Sequence, residues 1–521
     1  MAKKGSTSKK TSVSNAPKGK KKSSGSSATA DRILKAAREE FGFESLRPGQ
    51  AEAIEALLRG NDCLVVMPTG SGKSAIYQIA GSLLTGPILI ISPLIALQKD
   101  QVDTINEQTE AEAVVVNSTQ RAAETRETFE KIEAGESKFI FLAPEQLRKQ
   151  ETRERLEQAG IALFVVDEAH CISEWGHDFR PDYLQLGPVI EGLGHPVVLA
   201  MTATASAAVR EEISERLRLR KPKVLVHGFD RPNIYLRVDH FEKKEEKLEK
   251  LIQRVNWADK PGIVYVATRS NAEEIMRLLA EEGVKALFYH GGLKPIERHE
   301  IQEQFMAGEA DVIVATNAFG MGIDKADVRF VYHFDVSDSL DSYYQEIGRA
   351  GRDGEKAEAV LFFRQEDMGV QKFHSGEGKL NVRDVERVAN VIADQEGPVE
   401  VEEVTEETNL SERKLTSVIH RLEDVGALEI LPTGEVQMTE DASVTEVARE
   451  AAKEQERRKE MKLERLRQMQ EYADISSCRR EHLLRYFGDE FSAPCYNCDN
   501  CEAEAPGIKV DPSVGTRREV A

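Results

Sequence analysis

No apolar run in this 521-residue chain approaches the roughly 20 residues needed to cross a bilayer. No secretory h-region follows its start, so neither a membrane span nor a secreted product is expected. Cysteine is scarce, at six residues. Cys63 and Cys171 stand alone, while Cys478, Cys495, Cys498 and Cys501 cluster near the end. That distribution argues against a disulfide framework and suits a reducing compartment with one metal site. Acidic residues are missing from residues 1–30, which carry eight lysines, so the rest of the chain sums to −28 against a formal total of −20. This Ser-, Gly- and Lys-rich segment is too poor in apolar residues to fold and is expected to be disordered. It reads either as a solubilising extension or as a weak electrostatic tether to nucleic acid. Any nucleic-acid site in the acidic remainder must be locally basic. With 40% hydrophobic and 31% charged residues, the chain has core enough for three or four domains.

What is present is densest at 161–180. The β-branched, apolar run from Ile161 to Val166 is of the kind buried in a parallel sheet. Asp167 and Glu168 follow where the strand should end, and in an open α/β sheet that is where ligands bind. Trp175, His177, Phe179 and Arg180 come next, a set able to stack on bases beside the acids. Alone, Asp167-Glu168-Ala169-His170 reads equally as an ordinary strand end and a polar loop.

The decision comes from upstream. A short apolar strand at 63–66 runs into Met67-Pro68-Thr69-Gly70-Ser71-Gly72-Lys73-Ser74 and then a helix. Strand, glycine loop and helix wrap phosphates in backbone N–H groups, with Lys73 on the β/γ-phosphates and the Ser74 hydroxyl on Mg²⁺. Met67 occupies the place of the usual first glycine, but the Gly-x-Gly-Lys-Ser core is intact. Given this loop, Asp167 becomes the Mg²⁺ carboxylate and Glu168 the base that orients water. Ahead of it, Asp31 can cap a helix through Ile33, Leu34, Ala37 and Phe41, and a turn at 41–50 follows. Further strands are expected at 87–91, 138–142 and 196–200. The last enters Met201-Thr202-Ala203-Thr204-Ala205, whose hydroxyls suit hydrogen bonding between two ligand sites and equally suit a helix cap.

A second α/β series begins after Gly228-Phe229-Asp230-Arg231-Pro232-Asn233, with strands expected at 262–266, 286–289, 312–316 and 330–333. It has no phosphate loop. It has instead Gln345-Glu346-Ile347-Gly348-Arg349-Ala350-Gly351-Arg352-Asp353-Gly354, where two arginines three apart can face one anion as fingers supplied to the other unit.

With these segments assembled, the chain resembles superfamily 2 helicases, and within them the RecQ family. The residues that carry it are Phe43, Arg47 and Gln50, then 67–74, 92–101, 143–145, 167–183, 202–204, 229–233, 316–324 and 345–354. The resemblance covers nearly all of 31–370 and implies two RecA-like domains closing on ATP, with single-stranded DNA across both and 3′-to-5′ translocation. It implies that Phe43, Arg47 and Gln50 read adenine and that Thr69, Gly70, Ser71, Gly72, Lys73 and Ser74 hold the phosphates. Lys73, Asp167, Glu168, Gln345, Arg349 and Arg352 are the implied catalytic set. Leu46 stands where the family often has an aromatic.

In the C-terminal third, residues 411–424 read as a helix with Leu415, Val418, Ile419 and Leu422 as its apolar stripe. A shorter helical stretch precedes it and a hairpin turning at 432–434 follows, a winged-helix pattern or a small helical scaffold. Arg413, Lys414 and Arg421 fall on the face opposite the stripe and are the candidates for gripping duplex DNA. Residues 444–471 read as a solvated, charge-rich connector. Cys478, Cys495, Cys498 and Cys501 then give C-x16-C-x2-C-x2-C, four thiolates suited to structural Zn²⁺. This piece also resembles the family's zinc module, although the family usually places zinc before the winged helix, and no terminal nucleic-acid-binding module is expected in the 20 residues after Cys501.

The fold class is therefore α/β. The expected units are a disordered tail (1–30), RecA-like domains at 31–227 and 228–370, a winged helix (371–440), a helical connector with the zinc module (441–505) and a disordered tail (506–521). The expected activity is ATP- and Mg²⁺-dependent DNA unwinding in repair or recombination, in the cytoplasm at the nucleoid or in a nucleus. An RNA-directed helicase and a DNA-binding regulator with a vestigial ATPase are the alternatives.

Overall fold

A computed structural model describes residues 24–504 apart from 69, 94, 110–111, 118–119, 174–179, 321–322, 324, 370–381, 396, 412–413, 416–417, 420–421, 423–424, 432–434 and 440–443. The first unit is a seven-stranded parallel sheet. Its strands are β1 (Cys63–Val66), β2 (Ile88–Ile91), β3 (Glu112–Val116), β4 (Ser137–Leu142), β5 (Leu163–Val166), β6 (Val197–Thr202) and β7 (Lys223–Val226), in the order β3-β4-β2-β5-β6-β1-β7. Every residue of β1, β2 and β5 is buried, as expected where helices cover both faces of a parallel sheet. Neighbouring β5, β6 and β1 run in the same direction, so the acids, the threonines and the glycine loop leave the sheet side by side.

The second sheet has six parallel strands: β8 (Ile234–His240), β9 (Gly262–Tyr265), β10 (Ala286–Tyr289), β11 (Val312–Ala315), β12 (Phe330–His333) and β13 (Ala357–Phe363), ordered β10-β11-β9-β12-β13-β8. Four strands lie outside the sequence expectation: β3, β7, β8 and β13. Three of them are sheet edges, where one side is half-exposed and the apolar signal is broken by polar residues.

Helices Val382–Ala393 and Val401–Thr408 share a core with Leu415, Val418, Ile419 and Leu422, all buried as their helical spacing requires. An antiparallel pair, β14 (Leu428–Ile430) and β15 (Val436–Met438), closes this unit. Its expected turn at 432–434 lies outside the described residues.

Two expectations about helices change. The first helix spans Ser24–Phe41, so Asp31 stands inside it and is not its cap. Residues 24–30, assigned from composition to the tail, are alanine- and serine-rich without proline, and they extend the helix. The charged connector is one helix, Val444–Asp474, and only part of it is solvated. Met461, Leu466, Met469, Tyr472 and Ala473 recur at helical spacing and are buried, the last four joining the core beneath the second sheet and the zinc segment. Among the described residues no helix is long and apolar enough to cross a membrane.

The helix Gln50–Leu58 starts behind Gly49, whose φ is 85°. A Cβ there would lie 2.5 Å from the Met67 ε-methyl and 2.6 Å from the His227 ring. Met67 is thus the packing partner of a glycine turn, which accounts for a buried methionine in place of the usual loop glycine. Gly49→Ala should destabilise the first domain by about 1–3 kcal/mol through strain and overpacking. A thermal melt with an unchanged midpoint would refute this account.

Candidate active site and metal centre

Gly70 and Gly72 have φ of 77° and 79°, left-handed values that only glycine adopts without strain, and they bend the loop after β1 into a cradle. The turn at 43–50 is bolted to its rim. Gln50 is buried and donates through Nε2 to Gly72 O (2.8 Å) and Ser71 O (3.3 Å), while its Oε1 accepts from Arg47 N (2.8 Å). Arg47 donates to Gly70 O. Phe43 stacks on Phe41, with ring centroids 6.2 Å apart. Gln50 and Arg47 are therefore structural partners of the loop as well as candidate base readers. Thr69 lies outside the described residues.

Lys73 has its ammonium on its own loop, donating to Met67 O (2.9 Å) and Pro68 O (3.3 Å). Burial pulls its pKa down, opposed by the carboxylates of Glu168 and Asp167. Ser74 begins the following helix and its Oγ accepts from Gln101 Nε2 at 3.4 Å; Gln101 in turn accepts from Tyr77 OH at 2.6 Å. Gln101, from the segment 92–101, thus ties the Ser74 hydroxyl to Tyr77.

Asp167 emerges from β5. Burial, with Glu168 beside it, pushes its carboxyl up to about 7 against the pull of Lys73. Tyr183 donates to Asp167 O at 3.0 Å and Glu168 N to Asp167 Oδ1 at 3.0 Å. Glu168 has φ 47°, and its buried Oε2 accepts no hydrogen bond among the described residues. It lies 3.3 Å from His170 Nδ1, which is 2.8 Å from Thr202 Oγ1. Thr202 Oγ1 donates to Thr204 O (3.0 Å), so the hydroxyl that ends β6 is linked to Glu168 through His170. Two half-buried carboxyl groups, one with an unsatisfied oxygen, beside a serine hydroxyl and a glycine cradle form a donor set that fits Mg²⁺ and a polyphosphate.

The second domain reaches this site with Arg352. A Cβ on Gly70 would meet Arg352 Cδ at 3.7 Å, and Arg352 is one of the charges felt by Lys73. Its Nη1 donates to Ile323 O at 2.7 Å. Arg349 is buried and donates to Gly320 O. Gln345 is half-buried on the helix Leu340–Ile347, just ahead of both.

Of the expected base-stacking loop, Trp175, His177 and Phe179 lie outside the described residues. Its two ends are joined by Arg180 N to Cys171 O at 2.8 Å, and Arg180 Nη1 donates to Pro93 O at 3.1 Å. In the helical unit Arg413 and Arg421 also lie outside the described residues. Lys414, expected on an exposed basic face, is paired with Asp384 at 2.6 Å, so its charge is committed within the unit.

The four thiols meet. Cys478, Cys495, Cys498 and Cys501 bring their sulfurs within 4.8 Å of one another, all but Cys495 buried. Tetrahedral Zn–S bonds of about 2.3 Å place sulfurs about 3.8 Å apart. Cys495 and Cys501 stand at 3.9 Å, which fits. Hydrogen bonds from Cys478 and Cys495 hold the Cys498 thiol below its usual range, while hydrogen bonds with Cys478 and Cys498 push the Cys495 thiol up and burial raises that of Cys501. The module is welded to the second domain. Arg480 binds Asp230 Oδ1 (2.6 Å) and Ile234 O (2.7 Å), Asp499 Oδ2 accepts from Val238 N (3.0 Å), and Cys498 bridges to Leu236 of the edge strand β8.

Comparison with known proteins agrees with this geometry. Residues 47–213 match the DEAD/DEAH box helicase family, residues 243–354 the helicase conserved C-terminal domain and residues 437–502 the RecQ zinc-binding family. The chain is 39% identical to the probable ATP-dependent DNA helicase RecS of Bacillus subtilis, over 88% of this chain and 90% of that protein. It is 36% identical to the ATP-dependent DNA helicase RecQ of Pasteurella multocida, over 88% of this chain but 61% of that longer protein. Among solved structures, Mycobacterium smegmatis helicase Lhr bound to ssDNA and AMP-PNP superposes with a TM-score of 0.51 at 20% identity, covering 82% of this chain and 62% of that one, a likeness of fold alone.

Metal analysis of the purified protein should find one zinc per chain. Cys498→Ser should give insoluble or protease-sensitive protein, because a structural zinc contributes on the order of 10 kcal/mol to its module. Clean protein with four reduced cysteines and no zinc would exclude the site.

Proposed function

The chain belongs to the RecQ family of helicases, and from that premise we propose that it hydrolyses ATP to move 3′ to 5′ along single-stranded DNA and unwind duplex in repair or recombination. The observation that carries this reading is Arg352, a cation from the second domain against the glycine loop of the first. A hydrolysis site divided in this way is complete only when the two domains are together, so the nucleotide state and domain closure are one event.

The roles follow from position. Lys73 leaves its carbonyls for the β/γ-phosphates, Ser74 and Asp167 hold Mg²⁺, and Glu168 orients and deprotonates the attacking water. Mg²⁺ when bound neutralises phosphate charge and relieves the repulsion between Asp167 and Glu168. Arg349 and Arg352, with Gln345 beside them, face the charge that develops on the transferred phosphoryl group. Trp175 and Phe179 stack on bases, and Arg180 holds one foot of their loop. The pair His170–Thr202 gives the water-orienting Glu168 a connection to the strand end on the DNA side.

Hydrolysis separates these roles. Lys73→Ala should lose nucleotide binding, Glu168→Gln should bind ATP without cleaving it, and Arg352→Ala should lower turnover by roughly 10³. Undiminished ATPase in Glu168→Gln would remove it as the base.

Strand displacement tests substrate and direction. Duplex with a 3′ single-stranded DNA tail should be unwound in the presence of ATP and Mg²⁺. The same duplex with only a 5′ tail, or with an RNA tail, should not be. Equal unwinding of the 5′-tailed substrate would overturn the polarity, and preference for the RNA tail would overturn the DNA assignment.

A further inference from the structure

The segment joining the two domains does more than connect them. Arg231 places its guanidinium on the turn that bears the arginine pair, donating through Nη1 to Gly348 O (2.9 Å) and through Nη2 to Ala350 O (2.7 Å) and Gly351 O (2.9 Å). Asn233 Nδ2 donates to Gly351 O and Glu355 O, both at 2.8 Å. Gly351 has φ 55°, and a Cβ there would lie 2.4 Å from Asn233 Nδ2, so linker and turn touch without room for a side chain. Tyr344 OH donates to Phe229 O on the same linker.

Two features mark this as more than packing. The carbonyls that Arg231 binds follow the C-terminus of the helix Leu340–Ile347, where the backbone dipole attracts a cation. Among the described residues no carboxylate forms an ion pair with Arg231; its hydrogen bonds to this turn go to the backbone carbonyls, with Asp353 near enough to favour its charge. Second, the linker is itself held from the zinc module. Arg480 binds Asp230 and Ile234 O, and Asn497 Nδ2 donates to Pro232 O at 2.8 Å. The void left among linker, helix and zinc module is only about 20 Å³. A turn held by four hydrogen bonds from a clamped linker, with a fifth to Glu355 O on the far side of Arg352, has little freedom to misplace that arginine.

We propose that Arg231 is a positioning residue for ATP hydrolysis, holding the turn 348–351 so that Arg352 stands against the phosphate loop of the other domain. This rests on the reading of Arg352 as a finger. It gives the zinc module a mechanical part in hydrolysis through Arg480 and the linker, without touching nucleotide.

The test is a double-mutant cycle on the full chain, read by steady-state ATP hydrolysis at varied ATP with saturating single-stranded DNA. Arg231→Ala should lower kcat by about 10- to 100-fold, the scale of a displaced catalytic group, with KM for ATP within about two-fold. In an Arg352→Ala background the same substitution should cause no further loss, because its effect passes through that side chain. Arg231→Lys keeps a cation at the helix end but not the fork, and should recover part of kcat; it carries the test if Arg231→Ala fails to fold. Independent, multiplicative losses in the cycle, or an unchanged kcat in Arg231→Lys and Arg231→Ala alike, would overturn the positioning role while leaving Arg352 as the finger. Wild-type turnover in Arg352→Ala would overturn the finger and this proposal with it.

Discussion

Charge gathered at the ends of strands in one sheet is the constraint on which the rest of this molecule depends. Asp167, Glu168 and Lys73 meet beyond β5 and β1, inside a fold whose core would otherwise exclude them. In a medium of low effective dielectric such a group must be paired, neutralised or hydrogen-bonded. The protein does some of each. The Asp167 carboxyl is pushed towards its neutral form, Lys73 turns to two carbonyls of its own loop, and Glu168 keeps one oxygen without a donor. Each of these is a compromise that a metal and a polyphosphate relieve.

The second domain answers that charge through a single short turn, and the turn is held from behind. Arg231 and Asn233 fix its backbone, while Arg480 and Asn497 fix the linker that carries them. The zinc module is therefore part of the catalytic framework and not an appendage. Its helix Arg479–Tyr486 also ends against the first domain, where Arg210 donates to Phe487 O at 2.9 Å. Phe487 itself stacks on Phe229 of the linker, with centroids 4.8 Å apart and planes at 9°. One small metal-built unit thus touches both domains and the segment between them.

The helix Ala207–Arg216 brings a third partner into the same frame. Its Glu212 accepts from Ser173 at the foot of the aromatic loop (2.6 Å), and its Arg210 reaches the zinc module. His170, one turn before that foot, is bound to Thr202 at the strand end from which the helix follows. Base stacking in the loop would therefore be exerted on the same short segment that carries Glu168. The coupling needs no long path, because acid, histidine, threonine and loop are consecutive or adjacent.

The parts legible in the sequence are those made by residues close together in the chain. Strand, glycine loop and helix at 63–83 form from local geometry, and the apolar runs of β1, β2 and β5 announce buried strands. The four cysteines could be read as one metal site because thiolates at such spacing have few other uses. Three of the four edge strands, β3, β7 and β8, were not legible, since half-exposed alternation is a weak signal. Nor was the burial of the connector helix, whose charged face dominates its composition. Lys414 shows the same limit from the other side: spacing placed it on an exposed face, but a carboxylate 30 residues away in another helix claims it. Arg231 and the turn it holds are 117 residues apart, Arg480 and Asp230 are 250, and Arg210 and Phe487 are 277. The chemistry of the site was written in motifs, because phosphate and metal demand particular side chains at short range. The assembly of that chemistry was decided only by tertiary structure, because hydrogen bonds to backbone carbonyls leave no pattern in the residues that supply them.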